Sequence, residues 1–314
     1  VTADAGAPDA LDALAARLPS HVRHDVATGP LTTYGAGGPA RLAITVRDDD
    51  ELAEVARAVA ADPTVPVLVI GLGSNLLVCD DGFDGLVVVL GPSFADIEID
   101  GTRVRAGARA KLPVVARQTA GAGLTGFEWA AGVPGSIGGA VRMNAGVPDA
   151  DMADALTRVR VVDLASGEDG VVAASQLSLA YRSSSIRPDQ VVVWAELELA
   201  PGDPAVARAA IKEKTQWRRD HQPGGRNAGS VFTNPDGTSA GRLIDEAGCK
   251  GLRIGSAEVS TKHANFIQSD EGGRAQDIWD LMVEVRRRVH EATGVDLHPE
   301  TCLVGFDPMP ELAS

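Results

Sequence analysis

The chain has 314 residues, 44% hydrophobic and 23% charged, with a formal net charge of −14. This is globular usage, with enough chain for a sizeable core and about two domains. So acidic a surface argues against nonspecific nucleic-acid or anionic-membrane binding, and an anionic ligand would need local positive charge to overcome the repulsion.

Residues 1–20 are rich in Ala and Asp, with Leu11, Leu14 and Leu18 at amphipathic spacing. A frayed tail followed by one helix is expected. Tyr34, Gly35, Gly37 and Gly38 then precede an apolar strand over 40–46. They read as a turn, or as a ligand-facing loop. Asp48, Asp49 and Asp50 offer caps for a helix to about residue 61, with Leu52, Val55, Ala56 and Val59 on its buried face. A buried strand over 66–70 runs into Gly71, Gly73, Ser74 and Asn75, a second glycine turn. Short strands follow at 86–90, 96–99 and 102–106, then a helix over 111–120.

The stretch 126–146, GFEWAAGVPGSIGGAVRMNAG, holds six glycines, four of them at Gly132, Gly135, Gly138 and Gly139. Glycine is entropically costly, so such a cluster marks sharp turns or close approach to the backbone. With Ser136 and Asn144 beside it, the stretch reads as a nest for a pyrophosphate or as a structural loop. It lacks the G-x-G-x-x-G spacing of a Rossmann fingerprint. Three glycine turns without a G-K-S/T lysine favour an extended cofactor over a nucleoside triphosphate.

Strands are expected at 156–163 and 191–199. Between them Arg182 and Arg187 flank three serines in LAYRSSSIR. Residues 201–204 read as a linker and domain boundary. A helix over 205–219 precedes a turn-rich loop with Gly229, Ser230 and Asn234. Ser239 caps a helix over 242–247 that Gly248 ends. The stretch EVSTKHANFIQ reads as a strand ending near His263 and Asn265. The clearest amphipathic helix spans 275–293. Glu300 opens a last strand over 301–306, as a site acid or a surface one.

Cys79, Cys249 and Cys302 form no C-x-x-C pair, so buried thiols in a reducing cytoplasm are expected. The six histidines show no ligand spacing, and no metal site is expected. There is no apolar run of the ~20 residues that would span a bilayer, and no signal peptide is read.

Taken together, TTYGAGGPARL, VIGLGSNLLV, GFEWAAGVPGSIGGAVRMNAG, AYRSSSIR, NAGSVFTNP, AGRLIDEAGCKG, STKHANFI and HPETCLVGF resemble the UDP-N-acetylenolpyruvoylglucosamine reductases, in family order and over nearly all the chain after residue 30. The resemblance implies an α+β fold: a p-cresol-methylhydroxylase-type FAD-binding domain and a smaller α+β substrate-binding domain. The boundaries expected are a tail and short helix over 1–20, the FAD-binding domain with two subdomains over 21–202, and the substrate-binding domain over 203–314. It also implies noncovalent FAD, NADPH as hydride donor, and reduction of an enolpyruvyl ether to a lactyl ether; a cytoplasmic monomer without nucleic-acid or membrane partners is expected.

Carried over residue by residue, the implied catalytic positions are Arg182, Ser230 and Glu300. Cofactor contacts fall on Tyr34 and Gly35, on Gly71, Gly73, Ser74, Asn75 and Leu76, and on Gly132, Pro134, Gly135, Ser136, Gly138, Gly139, Ala140, Asn144, Ala145 and Gly146. Tyr181, Asn234 and His263 are implied substrate contacts. The short link over 251–258 lacks the tyrosine-bearing insertion of the longer subtype. Thr233 stands where many relatives carry a basic residue, and His221 lies near where some have a substrate-binding lysine. The alternatives are another FAD oxidoreductase of the same fold, or a flavin or nucleotide-sugar binding protein without turnover.

Overall fold

The computed structural model describes residues 10–312, so the first nine residues of the expected tail lie outside it. The described residues form seven α-helices: α1 (Ala10–Ala15), α2 (Asp49–Ala60), α3 (Leu112–Gly121), α4 (Ile137–Met143), α5 (Pro204–His221), α6 (Ala240–Glu246) and α7 (Ala275–Thr293).

The first sheet runs in the order Arg23–Ala27, Pro39–Val46, Phe83–Leu90, Val67–Ile70. Its first pairing is antiparallel and the other two are parallel. Parallel strands need a crossover, and α2 supplies it. Leu52, Val55, Ala56 and Val59 are buried, as their 3.6-residue spacing requires. Asp48 accepts from the Glu51 amide at 3.0 Å, a cap of the kind worth ~1 kcal/mol.

The second sheet is antiparallel, in the order Asp169–Ala173, Leu156–Asp163, Gln190–Glu198, Arg103–Gly107, Ile97–Asp100. The edge strand Asp169–Ala173 is one the sequence pattern does not reveal. It has no buried residue, so there is no alternation to read. One apolar cluster joins both sheets, with Ile44 and Val88 from the first and Val104, Val159 and Ala195 from the second.

Two expectations need correction. The glycine stretch is not all loop: residues 137–143 form α4, capped by Ser136, whose Oγ accepts from the Gly139 amide, and ended by Asn144 at φ 39°. Burial of Ile137, Ala140 and Val141 outweighs the two glycines within it. The strand expected from residue 258 is cut in two, Ala257–Val259 and Ile267–Ser269, joined by a turn. The Ser260 hydroxyl accepts from the amides of Lys262 and His263, offering the backbone an alternative to the ladder. The link over 251–258 is a tight hairpin with Gly255 at φ 53°.

Early and late parts of the chain are joined in three ways. Cys302–Val304 pairs in parallel with Leu76–Val78. The Asp80 carboxylate accepts from the Ala275 and Gln276 amides at the start of α7. Tyr34 and Leu77 pack into one apolar cluster with Ile244 of α6 and Ile278, Leu281 and Met282 of α7. Among the described residues no helix is long and apolar enough to cross a membrane, and no group of three His, Cys, Asp or Glu residues could hold a metal ion.

Candidate active site

The three glycine turns meet. The Thr33 amide donates to the Gly73 carbonyl at 3.0 Å. Gly73 sits at φ 59°, and a Cβ there would collide with the Leu31 carbonyl, so both conformation and space demand glycine. On the other side, a Cβ on Gly71 would stand 2.6 Å from Ser136 Oγ, and one on Gly135 would stand 3.5 Å from Ser74 Oγ. From this junction a cleft opens, lined by Gly71, Ser136, Gly138 and Gly139 and by the apolar side chains of Ile70, Leu90 and Val192.

The glycines fall into two groups. At Gly138 a Cβ would stand 2.9 Å from Ala108 Cβ, and at Gly35 and Gly146 it would run into Arg226 and Asp151. Packing requires glycine at Gly138 and Gly146, and the positive φ of 69° favours it at Gly35. At Gly132 a Cβ would meet nothing within 4 Å, and at Gly139 only Ser136 Oγ at 3.6 Å. No described atom accounts for their lack of a side chain. A cofactor lying along the backbone there fits that open space.

The cleft also holds what the net charge demanded and the sequence reading missed. Arg109 and Arg142 both line it, and no ion pair among the described residues engages either. Arg109 Nη1 donates to the Leu90 carbonyl at 2.5 Å. Arg142 lies three residues after Gly139 on α4, one helical turn along the same face. That spacing was the available signal.

Other expected cofactor contacts have side chains engaged elsewhere. Tyr34 is fully buried in the cluster with α6 and α7, and burial pushes its phenol well above the usual range. Leu76 and Ala140 are core residues. Asn144 donates to Asp151 and to the Ala180 carbonyl, and accepts from the Ala153 amide. Asn75 Nδ2 donates to the Glu300 carbonyl at 3.0 Å. These side chains fix the walls of the site.

Arg182 and Glu300 come together across 118 residues. Arg182 Nε donates to Glu300 Oε1 at 2.9 Å, and its Nη2 donates to the Gly146 carbonyl at 2.9 Å. Arg182 adopts φ 54°, a conformation uncommon for a non-glycine residue and held here by its surroundings. The Tyr181 ring lies over the guanidinium, its centroid 5.0 Å away. The loop is tied to the glycine stretch by Asn144 and by Ser184, whose Oγ donates to the Arg142 carbonyl at 2.7 Å. Arg187, at the loop's other end, pairs with Asp163 and Asp189 at the surface and lies outside this cluster.

The Glu300 amide donates to the Val231 carbonyl at 2.8 Å, which sets Ser230 one residue from the acid's own strand entry. Burial pushes the Glu300 carboxyl up and Arg182 opposes it, with the net direction upward. Ser230 lies on the wall of a second, larger cavity shared with Asn234, Lys262 and His263. His263 is held below its ordinary value by burial, and its ring meets Phe266 edge-on. Asn234 Oδ1 accepts from the Ala240 amide, which orients the side chain and leaves its amide nitrogen for a ligand. Lys250 and Arg242, which the sequence reading did not single out, also line this cavity, paired with Asp245 and Glu246. The His221 ring is stacked on Trp217 at 4.6 Å, and Thr233 donates to the His298 carbonyl.

Residues 40–169 match the family described as FAD binding domain, and residues 221–304 match the family described as UDP-N-acetylenolpyruvoylglucosamine reductase, C-terminal domain. The chain is 42% identical over 291 residues to the UDP-N-acetylenolpyruvoylglucosamine reductase of Paramagnetospirillum magneticum, covering 92% of this chain and 94% of that one. It is 44% identical to the protein of the same name from Acidiphilium cryptum, over 90% of this chain and 91% of that one. Among solved structures, the reductase of that name from Thermus caldophilus matches with a TM-score of 0.78 at 37% identity, covering 90% of this chain and 99% of that one.

Proposed function

Because the chain belongs to the UDP-N-acetylenolpyruvoylglucosamine reductase family, we propose that Arg182, Ser230 and Glu300 carry its reaction. The protein is an FAD-dependent oxidoreductase with a p-cresol-methylhydroxylase-type FAD-binding domain. It reduces UDP-N-acetylglucosamine enolpyruvate to UDP-N-acetylmuramate with NADPH as hydride donor, in peptidoglycan precursor synthesis. The chemistry that FAD supplies when bound is relay of hydride from NADPH to the terminal carbon of the enolpyruvyl group.

What remains is charge and a proton. Hydride addition leaves negative charge spread over the neighbouring carbon and the carboxylate. Arg182 is placed to bind that carboxylate, and a preorganised donor aimed at developing charge is typically worth ~3–4 kcal/mol. Glu300, in its protonated form, donates a hydrogen bond to the enolate oxygen. Ser230, on the cavity wall, delivers the proton to carbon.

The observation that carries this reading is the meeting of Arg182 with Glu300 at 2.9 Å, one backbone hydrogen bond from the Ser230–Val231 segment. In the same reading Gly132, Gly135 and Gly139 leave room for FAD and the cavity that Lys262, Lys250 and Arg242 line takes the nucleotide diphosphate. Residues 21–202 form the cofactor domain, which also lends Arg182 to the substrate, and residues 203–314 the substrate domain, in a cytoplasmic monomer. Mixing purified enzyme with NADPH should bleach the flavin absorbance, and adding the enolpyruvyl nucleotide sugar should restore it. A flavin that bleaches but is not restored by that substrate would overturn the assignment.

A further inference from the structure

Arg182 is the charge that faces Glu300, and the pair is neutral as it stands: one guanidinium and one carboxylate at 2.9 Å. Both side chains are mostly buried, at 21% and 15% exposure. The groups around Glu300 from the other elements are neutral. Asn75 holds its carbonyl, Val231 accepts from its amide, and the Tyr34 phenol is buried in the cluster that includes Val231. His298, on Glu300's own segment, is exposed and offers its carbonyl to Thr233.

The proposed substrate brings a second carboxylate to the same guanidinium. Two nitrogens of Arg182 are already engaged, by Glu300 and by the Gly146 carbonyl. The incoming carboxylate must therefore share Arg182 with Glu300 or displace it. Either way one cation meets two carboxylates, and a second anion at such short range raises the pKa of one of them. The substrate carboxylate is the better base only if Glu300 keeps Arg182. Glu300, opening a strand and walled in by protein, is the one that burial already disfavours as an anion.

We propose that binding of the enolpyruvyl substrate drives uptake of one proton from solvent onto Glu300, so that the acid becomes a hydrogen-bond donor only when substrate is present. The charges balance. The free pair is neutral, the substrate carboxylate would make the site −1, and the proton returns it to neutral. The product keeps its carboxylate, so the proton stays through the reaction and leaves when product leaves. This is distinct from the proton delivered to carbon. The inference rests on the reading that Arg182 receives the substrate carboxylate.

The test is calorimetric titration of the oxidised FAD holoenzyme with UDP-N-acetylglucosamine enolpyruvate, without NADPH, in buffers of low and high ionisation enthalpy. The difference in apparent enthalpy counts protons exchanged. Uptake should approach one proton per site at a pH between the Glu300 values of the free and bound enzyme, and fall off on both sides. UDP-N-acetylglucosamine, which lacks the enolpyruvyl carboxylate, should show none. Glu300→Gln should still bind the enolpyruvyl ligand and show none.

The same enthalpy in every buffer for the wild type across the pH range, or equal uptake in Glu300→Gln, would overturn the proposal while leaving Arg182's role standing. The parent reading is checked separately. Arg182→Gln should weaken the enolpyruvyl ligand at least about tenfold relative to UDP-N-acetylglucosamine, in line with a lost charge-assisted pair. Equal weakening of both ligands would remove the parent reading and the proposal together.

Discussion

The proposed cofactor cleft and the proposed reaction centre are built by opposite means. The cleft is shaped where side chains are missing: at Gly139 the backbone borders open space, and the nearby polar groups are neutral apart from Arg109 and Arg142. The centre is shaped by charged side chains brought together from distant segments, with Arg182 and Glu300 meeting across 118 residues. A cofactor that stays through many turnovers suits a surface that excludes by fit. A substrate whose charge changes during reaction needs groups that respond to charge.

That contrast predicts that damage to the centre affects the substrate and its chemistry while damage to the cleft affects cofactor binding. The largest effect expected is at Ser230. Ser230→Ala should lower turnover by about 10²–10⁴, the usual worth of a positioned acid, with FAD still bound. Arg182→Gln should follow at about 10²–10³ in kcat, as for loss of one donor to a developing oxyanion. Steady-state kinetics on variants of confirmed flavin content measures both, and a loss that tracks flavin content would dissolve the contrast.

In the cleft, the neighbours Gly138 and Gly139 sharpen the comparison. Gly139→Val has room in the protein and should fold, yet lose FAD affinity by about 100-fold or more because its side chain enters the cofactor's space. Gly138→Val should instead destabilise the fold by ~1–3 kcal/mol, since Ala108 stands in its way. Flavin fluorescence titration and thermal melts separate the two. Interchanged outcomes would mean that the cleft is not where FAD lies.

A smaller effect is expected at Arg142. Arg142→Gln should weaken FAD by about tenfold at low salt, with the difference shrinking as salt screens the charge. Riboflavin, which has no phosphate, should bind both proteins alike. An equal loss for the two ligands would make Arg142 a packing residue.

The smallest effect lies far from both regions. Glu284 on α7 sits between Arg287 and Arg288, at 2.8 and 2.6 Å, which holds its carboxyl down to about 2. A lowered native value stabilises the fold above the ordinary carboxylate range, and the benefit fades as pH falls toward about 2. Glu284→Gln should cost under ~1 kcal/mol near neutral pH, because the group is partly exposed, and the cost should vanish in acid. Activity per folded molecule should not change.

The two regions were also unequally legible. Helices α2 and α7 could be read from the spacing of their apolar residues, and the glycine turns from composition, because both are local signals. What composition could not divide was glycine hemmed in by the protein's own packing, as at Gly138, from glycine with open space beside it, as at Gly139. That distinction depends on Ala108, some thirty residues away. The turn after Val259 was hidden because Ser260 competes with a strand only through its side-chain oxygen. Arg182 and Glu300 had no local signal linking them, and only the resemblance of whole segments to known reductases set them side by side. The side-chain duties of Asn75 and Asn144 as braces for Glu300 and the Arg182 loop could not be read without the fold.

The central claim is that the centre handles substrate charge and protons while the cleft handles cofactor. It is tested most directly by resolving the two half-reactions of Ser230→Ala in stopped flow. NADPH-driven bleaching of the flavin needs no proton delivered to substrate carbon and should run near the wild-type rate. Reoxidation by the enolpyruvyl substrate should slow by about 10²–10⁴. Equal slowing of both half-reactions would contradict the claim, and would make Ser230 a residue that positions something common to both.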